Sequence, residues 1–282
     1  MAASERTGGW QVSALIGEIA GRGLDDWFRS GFVPADDSES REANGGLLTP
    51  ERLRPYLDPN CPGWLILPAA EHQRREQWLA AFTDQPVEIG FGRAGLALAI
   101  RAVDRAGVAA QILAADLEPE LQVLAMVLSP GSGPSVHFSA LDGRLEGTND
   151  LATLLTNAQA AVPEIEVLVC PGTPQECGFE RIMPFLASLS RWNRPALRWE
   201  FPELVLDAPG VLGALWGLYW LLDGYRVGDW QQPGALLLLD AVSPLAGVIA
   251  VSCSEKSMAG LAPRPVIKSL EQYRTESARI SS

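Results

Sequence analysis

Cysteine and histidine are both scarce in this chain. The four cysteines, Cys61, Cys170, Cys177 and Cys253, are spread along the sequence without the spacing of a metal site. They are therefore interpreted as free thiols that pack as small hydrophobic side chains. Neither a metal nor an organic cofactor is predicted.

Long hydrophobic runs are also missing. The most apolar stretch, Gly210 to Leu222, has about 13 residues and includes glycines. A helix that crosses a bilayer needs roughly 20 residues, so this segment is predicted to be a buried core helix. The chain does not open with a basic segment followed by an apolar one, and no secretory signal is recognised. We therefore expect a cytoplasmic protein without a membrane partner.

Positive charge is in deficit. Acidic residues number 34 against 22 basic ones, and the net charge is −12. Such a surface repels phosphate backbones and anionic lipids, which argues against nucleic acid as a partner. Acidic carrier proteins are disfavoured for the same reason. The 282 residues, 47% of them hydrophobic, are enough for one large α/β unit with a substantial core.

The chain divides into four regions by composition. Residues 1–60 are predicted to be an extension, with a helix over Trp10 to Phe32 and an exposed loop over Pro34 to Gly46. Two α/β halves follow at 61–150 and 151–258, and 259–282 form a polar tail.

Apolar patterns predict alternating helices and strands in both halves. The predicted strands are Trp64–Leu67, Ala110–Asp116, Gln122–Ser129, Val136–Leu141, Glu166–Cys170, Ala235–Asp240 and Gly247–Cys253. The predicted helices are Glu71–Phe82, Arg93–Arg105, Leu151–Ala160, Glu180–Trp192 and Pro209–Leu222, with Gly224 just past the end of the last.

The two halves repeat one pattern. Gly92 to Ser129 and Pro209 to Ser252 both read as a helix, a strand ending in aspartate, a turn, and a strand ending in serine. A repeat of this length is typical of a duplicated α/β domain.

Three segments resemble the motifs of thiolases and ketoacyl synthases. They are GFGRAGLALAIRAVDRAG with AAQILAAD (Gly90 to Asp116), IEVLVCPGTPQE (Ile165 to Glu176) and ELVLDAPG (Glu203 to Gly210). In that family these segments carry a nucleophilic cysteine, the H-G-T-G-T motif and the G-H-T motif. The resemblance implies the thiolase-like fold, with two βα halves packed as α-β-α-β-α layers.

The residues that make this fold an enzyme are absent from the matching positions. The cysteine position falls on Phe91, and the two histidine positions fall on Pro171 and Leu204. The only histidines, His72 and His137, precede both motifs that would need one. Claisen condensation needs a thiolate and imidazoles, so we expect no catalytic, cofactor or metal residues here.

Several other side chains are candidates for a functional role. Cys170 is interpreted as a core thiol, His72 as a surface residue, and His137 as an exposed or hydrogen-bonded strand residue. Asp116 and Asp240 resemble a carboxylate pair, but capping a turn after a strand is the commoner role. Trp216 and Trp220 share a helix face and are expected to fill the space of an acyl tunnel.

The sequence thus leads to three hypotheses. The first is a catalytically inactive thiolase-like adaptor that binds protein, since degenerate proteins similar to it accompany bacterial type VI secretion effector genes. The second is a non-catalytic subunit paired with an active ketoacyl synthase. The third is an acyl-transfer or hydrolytic enzyme with relocated residues. A homodimer is also compatible with the resemblance.

Overall fold

The computed structural model describes residues 9–19, 22–24, 28, 47–117, 121–142, 149–172, 187, 189–203, 210–240, 245–253 and 265–268. Within these ranges the strands form two mixed sheets. The strands of the first sheet, numbered along the chain, are β1 (Gly9–Ile19), β2 (Arg22–Gly23), β3 (Gly63–Leu67), β4 (Val87–Phe91), β5 (Ala110–Asp116), β6 (Gln122–Gly131) and β12 (Val266–Lys268). Those of the second are β7 (Ser135–Asp142), β8 (Val167–Val169), β9 (Arg198–Glu200), β10 (Gly234–Leu239) and β11 (Ala246–Ser252).

Helices lie on both sides of the sheets and between them. The described α-helices are α1 (Pro50–Leu53), α2 (Arg75–Ala81), α3 (Gly95–Ala106), α4 (Asn149–Ala161) and α5 (Gly210–Val227). The helix predicted over Glu71–Phe82 is divided, because a 3-10 helix over Ala69–Arg74 precedes α2. Most of the helix predicted over Glu180–Trp192 lies outside the described residues, and Trp192 itself lies in a turn.

The two sheets share one topology, which confirms the predicted duplication. Five strands of the seven-stranded first sheet run β4-β3-β5-β6-β1, with β2 and β12 both paired to β1, and the five-stranded second sheet runs β9-β8-β10-β11-β7. When β2 and β12 are set aside and the strands are numbered along each half, both sheets have the order 3-2-4-5-1. In both sheets the fifth strand is antiparallel to its two neighbours, β6 in the first half and β11 in the second.

The helix predicted over Trp10 to Phe32 is wrong at its start. Gly9–Ile19 is strand β1, which pairs antiparallel with β6. Leu15 and Ile16, which are neighbours in the strand, are both buried, and they pack into different core clusters. Because both faces of the strand are covered, its apolar residues do not alternate, and their spacing resembles that of a helix.

The sheets do not follow the residue limits drawn from the sequence. Strand β1 comes from the supposed extension but lies inside the first sheet. Strand β7 precedes residue 151, yet it pairs with β11 in the second sheet. Strand β12, from the supposed polar tail, pairs parallel with β1.

The core lies between the sheets, around α3 and α5. Helix α3 packs against β4 of the first sheet and against β7 and β11 of the second. Helix α5 packs against β1, β5 and β6 of the first sheet and β10 of the second. Helix α4 covers the outer side of the second sheet, and α2 contributes Trp78 to the cluster outside the first. These layers give the predicted α-β-α-β-α order.

Helix α5 is buried on nearly all sides. Of its 18 residues, 13 are buried, which is typical of a helix enclosed by the core of a large domain. No helix in the described part of the chain has the length and apolarity needed to span a membrane.

The predicted end of this helix needs correction. Gly224 lies inside α5, which continues to Val227 and is followed by Gly228 at a φ of 86°. A Cβ on Gly224 would lie 1.7 Å from the indole nitrogen of Trp230. This glycine therefore makes room for a packed indole instead of ending the helix.

Replacing Gly224 with alanine tests this packing. Gly224→Ala is expected to lower the free energy of unfolding by about 1–3 kcal/mol, because the added methyl group displaces the Trp230 indole. The measurement is urea unfolding followed by circular dichroism. The control Val227→Ala, at a side chain 47% exposed in the same helix, is expected to change it by less than about 0.5 kcal/mol. A Gly224→Ala protein as stable as the parent would contradict the packing.

Candidate functional site

The two core helices are entered through equivalent glycines. Gly92 follows β4 and leads into α3 with a φ of 70°, and Gly210 opens α5 with a φ of 74°. Residues with a Cβ rarely adopt this left-handed conformation, so glycine is required at both sharp entries. Gly90, just before, also lies against α3: a Cβ there would be 3.1 Å from the Cα of Gly95.

Asp240, which follows β10 in the second half, caps the entry to α3 in the first half. Both of its carboxylate oxygens accept a hydrogen bond from the backbone N–H of Arg93, at 2.9 and 3.1 Å. The side chain is buried and lies so close to Gly92 that a Cβ there would be 2.4 Å from its Oδ2. The carboxylate thus satisfies the N–H of Arg93, in the turn just before α3, and complements the dipole of that helix.

Asp116 occupies the related place in the other half. It ends β5, and its Oδ2 would lie 3.3 Å from a Cβ on Gly210, at the start of α5. Its Oδ1 accepts a hydrogen bond from the N–H of Leu117, at 2.8 Å, which is the turn-capping role expected from the sequence. The two aspartates thus lie at the starts of different core helices and serve structural roles.

A buried ion pair connects the two halves beside Asp240. The Arg93 guanidinium donates to both carboxylate oxygens of Glu203, from Nη1 to Oε1 at 2.7 Å and from Nη2 to Oε2 at 3.0 Å. Each residue is only 5% exposed. Glu203 Oε2 also accepts from the backbone N–H of Gly172, at 2.6 Å. The two buried charges therefore pair with each other, and the carboxylate also accepts a backbone hydrogen bond. Buried charges require such partners.

Members of this network are sequence neighbours of the three positions to which the resemblance assigns the family's catalytic residues. Arg93 is two residues past Phe91, the cysteine position, and Gly172 follows Pro171, the first histidine position. Glu203 precedes Leu204, the second histidine position, which lies outside the described residues. The structure therefore brings the neighbours of the predicted positions together, and it links them by charge.

Sequence reasoning missed Arg93 and Glu203. The available signal was a charged residue next to an almost wholly apolar segment: Arg93 precedes AGLALAI, and Glu203 precedes LVL. A charge in such surroundings is buried only when it is paired.

Cys170 is the thiol nearest to this network in sequence. Burial, and secondarily the negative charge of Glu203, raise the pKa of its thiol well above the ordinary value. The thiol contacts the backbone carbonyl of Leu168, at 3.9 Å. A thiol in this environment stays protonated and is a poor nucleophile, as expected for a core cysteine. Cys61 and Cys253 are half-buried, and Cys177 lies outside the described residues.

The remaining candidates from the sequence are two histidines and two tryptophans. His72 is exposed, with its ring edge-on to Phe91 at 5.2 Å, and His137 is exposed, with Nε2 2.5 Å from Ser252 Oγ. Trp216 is buried among the apolar residues between the sheets, 6.4 Å from the ring of Trp220. Among the described residues, no group of His, Cys, Asp or Glu side chains is arranged to hold a metal.

Comparisons with known proteins bear on the fold. No protein-family model matches the sequence, and no curated protein matches it by sequence. The oxazolomycin ketosynthase domain OzmH KS8 of Streptomyces albus JA3453 superposes with a TM-score of 0.54 and 11% identity, over 92% of this chain and 98% of that domain. The domain OzmH KS7 gives a TM-score of 0.51 and 11% identity, over 73% of this chain and 56% of that one. The predicted thiolase-like fold is therefore confirmed.

Breaking the buried pair on one side is expected to be costly. Arg93→Met leaves the Glu203 carboxylate buried without its cation, which should lower the free energy of unfolding by about 3–5 kcal/mol. The matched control is Arg194→Met, which removes an exposed pair with Glu164 of the same 2.7 Å length. That change should cost less than about 1 kcal/mol, because water solvates the remaining charge. Chemical denaturation measures both, and equal losses would contradict the assignment.

Proposed function

We propose that this protein is a catalytically inactive member of the thiolase-like fold that acts by binding other proteins. The observation that carries the proposal is the Arg93–Glu203 pair, which lies beside the positions of the family's nucleophile and histidines. Arginine and glutamate in a bidentate pair are both fully engaged, so neither is available as a nucleophile or as a proton carrier.

The backbone N–H at the entry to α3 is already hydrogen-bonded to a side chain. In the resembled enzymes the start of this helix activates a thiolate, since a helix N-terminus stabilises negative charge. Here the N–H of Arg93 donates to the Asp240 carboxylate, which takes the place of an anionic nucleophile. An N–H that already donates to this carboxylate is not free to stabilise an oxyanion.

Thiol labelling tests whether a cysteine supplies relocated chemistry. Native protein is treated with iodoacetamide at pH 8, unfolded, and then treated with N-ethylmaleimide before peptide mass spectrometry. Cys170 is expected to carry only the second label, because burial keeps it protonated and shielded. Half-buried Cys253 serves as the comparison within the same sample.

The same native protein is then incubated with acetyl-, malonyl- and long-chain acyl-CoA, and its intact mass is measured. The proposal expects no acyl adduct. A stoichiometric adduct that one substitution abolishes would replace this proposal with that of an enzyme using relocated residues.

We infer further that the protein serves in the cytoplasm as an adaptor that loads effectors onto a type VI secretion system. What supports this placement is analogy, since degenerate thiolase-like proteins similar to this one accompany bacterial type VI secretion effector genes. Affinity purification of the tagged protein from its native cell is expected to recover an effector, an adaptor or a spike protein. Recovery of none of these from cells that express the secretion system would contradict the placement.

A second candidate is a non-catalytic subunit paired with an active ketoacyl synthase. It is favoured by the position of β4, which is an edge strand of the first sheet among the described strands. Strand edges are surfaces to which another chain can add. Co-elution with a full-length synthase, together with a change in product length, would favour this candidate over the adaptor.

A further inference from the structure

A small cavity lies on the second half of the fold. Its lining includes residues of β9, the strand that ends just before Glu203 in the sequence. It is formed where β9 meets the last turns of α5 and the segment that follows, and its volume is about 130 Å³. Pockets for drug-sized ligands measure roughly 300–1,000 Å³, so this one suits a single side chain or a small molecule. The residues that define its chemistry are Arg198, Glu200, Trp220, Asp223, Asp229 and Trp230.

Two buried indole N–H groups belong to this cavity. The Nε1 atoms of Trp220 and Trp230 are shielded from solvent and have no hydrogen-bond acceptor among the described residues. The Trp230 side chain is 3% exposed and is held against Gly224, where no larger residue fits. The two rings thus form a rigid aromatic wall of the cavity, and their indole N–H signals report on what binds there.

The charges around the cavity leave an excess of carboxylates. Asp223 pairs with Arg226, from Nε to Oδ1 at 2.5 Å, and Glu200 pairs with Arg198 at 3.3 Å. Asp229, exposed at the rim, forms no ion pair within the described part of the chain. The site therefore favours a ligand that carries positive charge.

The Trp230 ring already accepts a guanidinium from the protein itself. The Cζ atom of Arg198 lies 4.4 Å from the centroid of this ring, within the range of a cation–π contact. The Arg198 side chain is 52% exposed, so its contacts with Trp230 and Glu200 are only partly shielded from water. A guanidinium from another molecule can displace it at modest cost.

We propose that this cavity binds an arginine side chain of a partner protein. The guanidinium lies against the Trp230 ring and donates to the carboxylates of Asp229 and Glu200. Such a ligand meets both the excess of carboxylates and the aromatic face that already accepts a guanidinium. The inference rests on the proposed role in protein binding and gives that role a specific surface.

The test uses the full-length protein and a blocked amino acid. The probe is N-acetyl-L-arginine amide, and the control is N-acetyl-L-citrulline amide, which has nearly the same shape but no charge. Binding is followed through the indole N–H signals in ¹⁵N–¹H NMR spectra, with Trp220→Phe and Trp230→Phe assigning the two signals. Both signals are expected to shift saturably with the arginine probe, and the citrulline probe should bind at least about fivefold more weakly.

Two surface substitutions give opposite expected effects. Asp229→Asn removes an attractive charge and should weaken arginine binding about fivefold. Arg198→Met removes the internal competitor and should strengthen it by a similar factor. The Arg194→Met substitution changes an exposed residue that is not part of the cavity lining, and it should leave binding unchanged.

Equal affinity for the arginine and citrulline probes would overturn the inference, and so would weaker arginine binding by Arg198→Met. An absence of indole shifts up to the solubility limit of the probe would also overturn it. Should Trp230→Phe fail to fold, the Trp220 signal and the two surface variants still decide the outcome. Recovery of a protein partner whose binding is unaffected by Asp229→Asn would reject this surface and leave the adaptor proposal standing.

Discussion

The bidentate contact between the Arg93 guanidinium and the Glu203 carboxylate joins residues that are 110 positions apart in the chain. Through Glu203 it also holds the backbone of Gly172, so three segments from both halves meet at one buried point. Buried pairs add little net stability over well-packed apolar groups, but removal of one partner is costly. We therefore regard this pair as fixing how the halves are arranged at the entry to α3, with a smaller contribution to total stability.

The aspartate contacts extend this arrangement in a roughly symmetric manner. Asp240 of the second half caps the entry to α3, and Asp116 of the first half lies at the entry to α5. Each carboxylate ends the fourth strand of its own half and reaches the core helix of the other. The duplication is thus visible in the polar contacts as well as in the strand order. It accounts for why aspartate recurs at equivalent places in the two halves.

The sequence predicts the fold better than the site. Periodicity and the repeat locate α3, α5 and strands β5, β6, β10 and β11 to within a few residues, because these segments have continuous apolar runs between clear turns. The pattern of strand β1 resembles a helix because burial on both faces removes alternation. The pairing of Arg93 with Glu203 does not follow from the sequence, because it depends on contact between distant segments. The cavity beside Trp230 depends on how β9 packs against the last turns of α5, which apolar periodicity does not specify.

Native-state hydrogen exchange at two backbone amides tests most directly whether the polar network at the entry to α3 is closed. The amides of Arg93 and Gly172 donate to the buried carboxylates of Asp240 and Glu203. Both lie outside regular helices and strands, and ordinary loop amides exchange through low-energy local opening. We expect both to exchange only through global unfolding, as slowly as amides in the central strand β5. Exchange as fast as that of the exposed turn at Gly228 would mean that the network opens freely, and it would contradict the account.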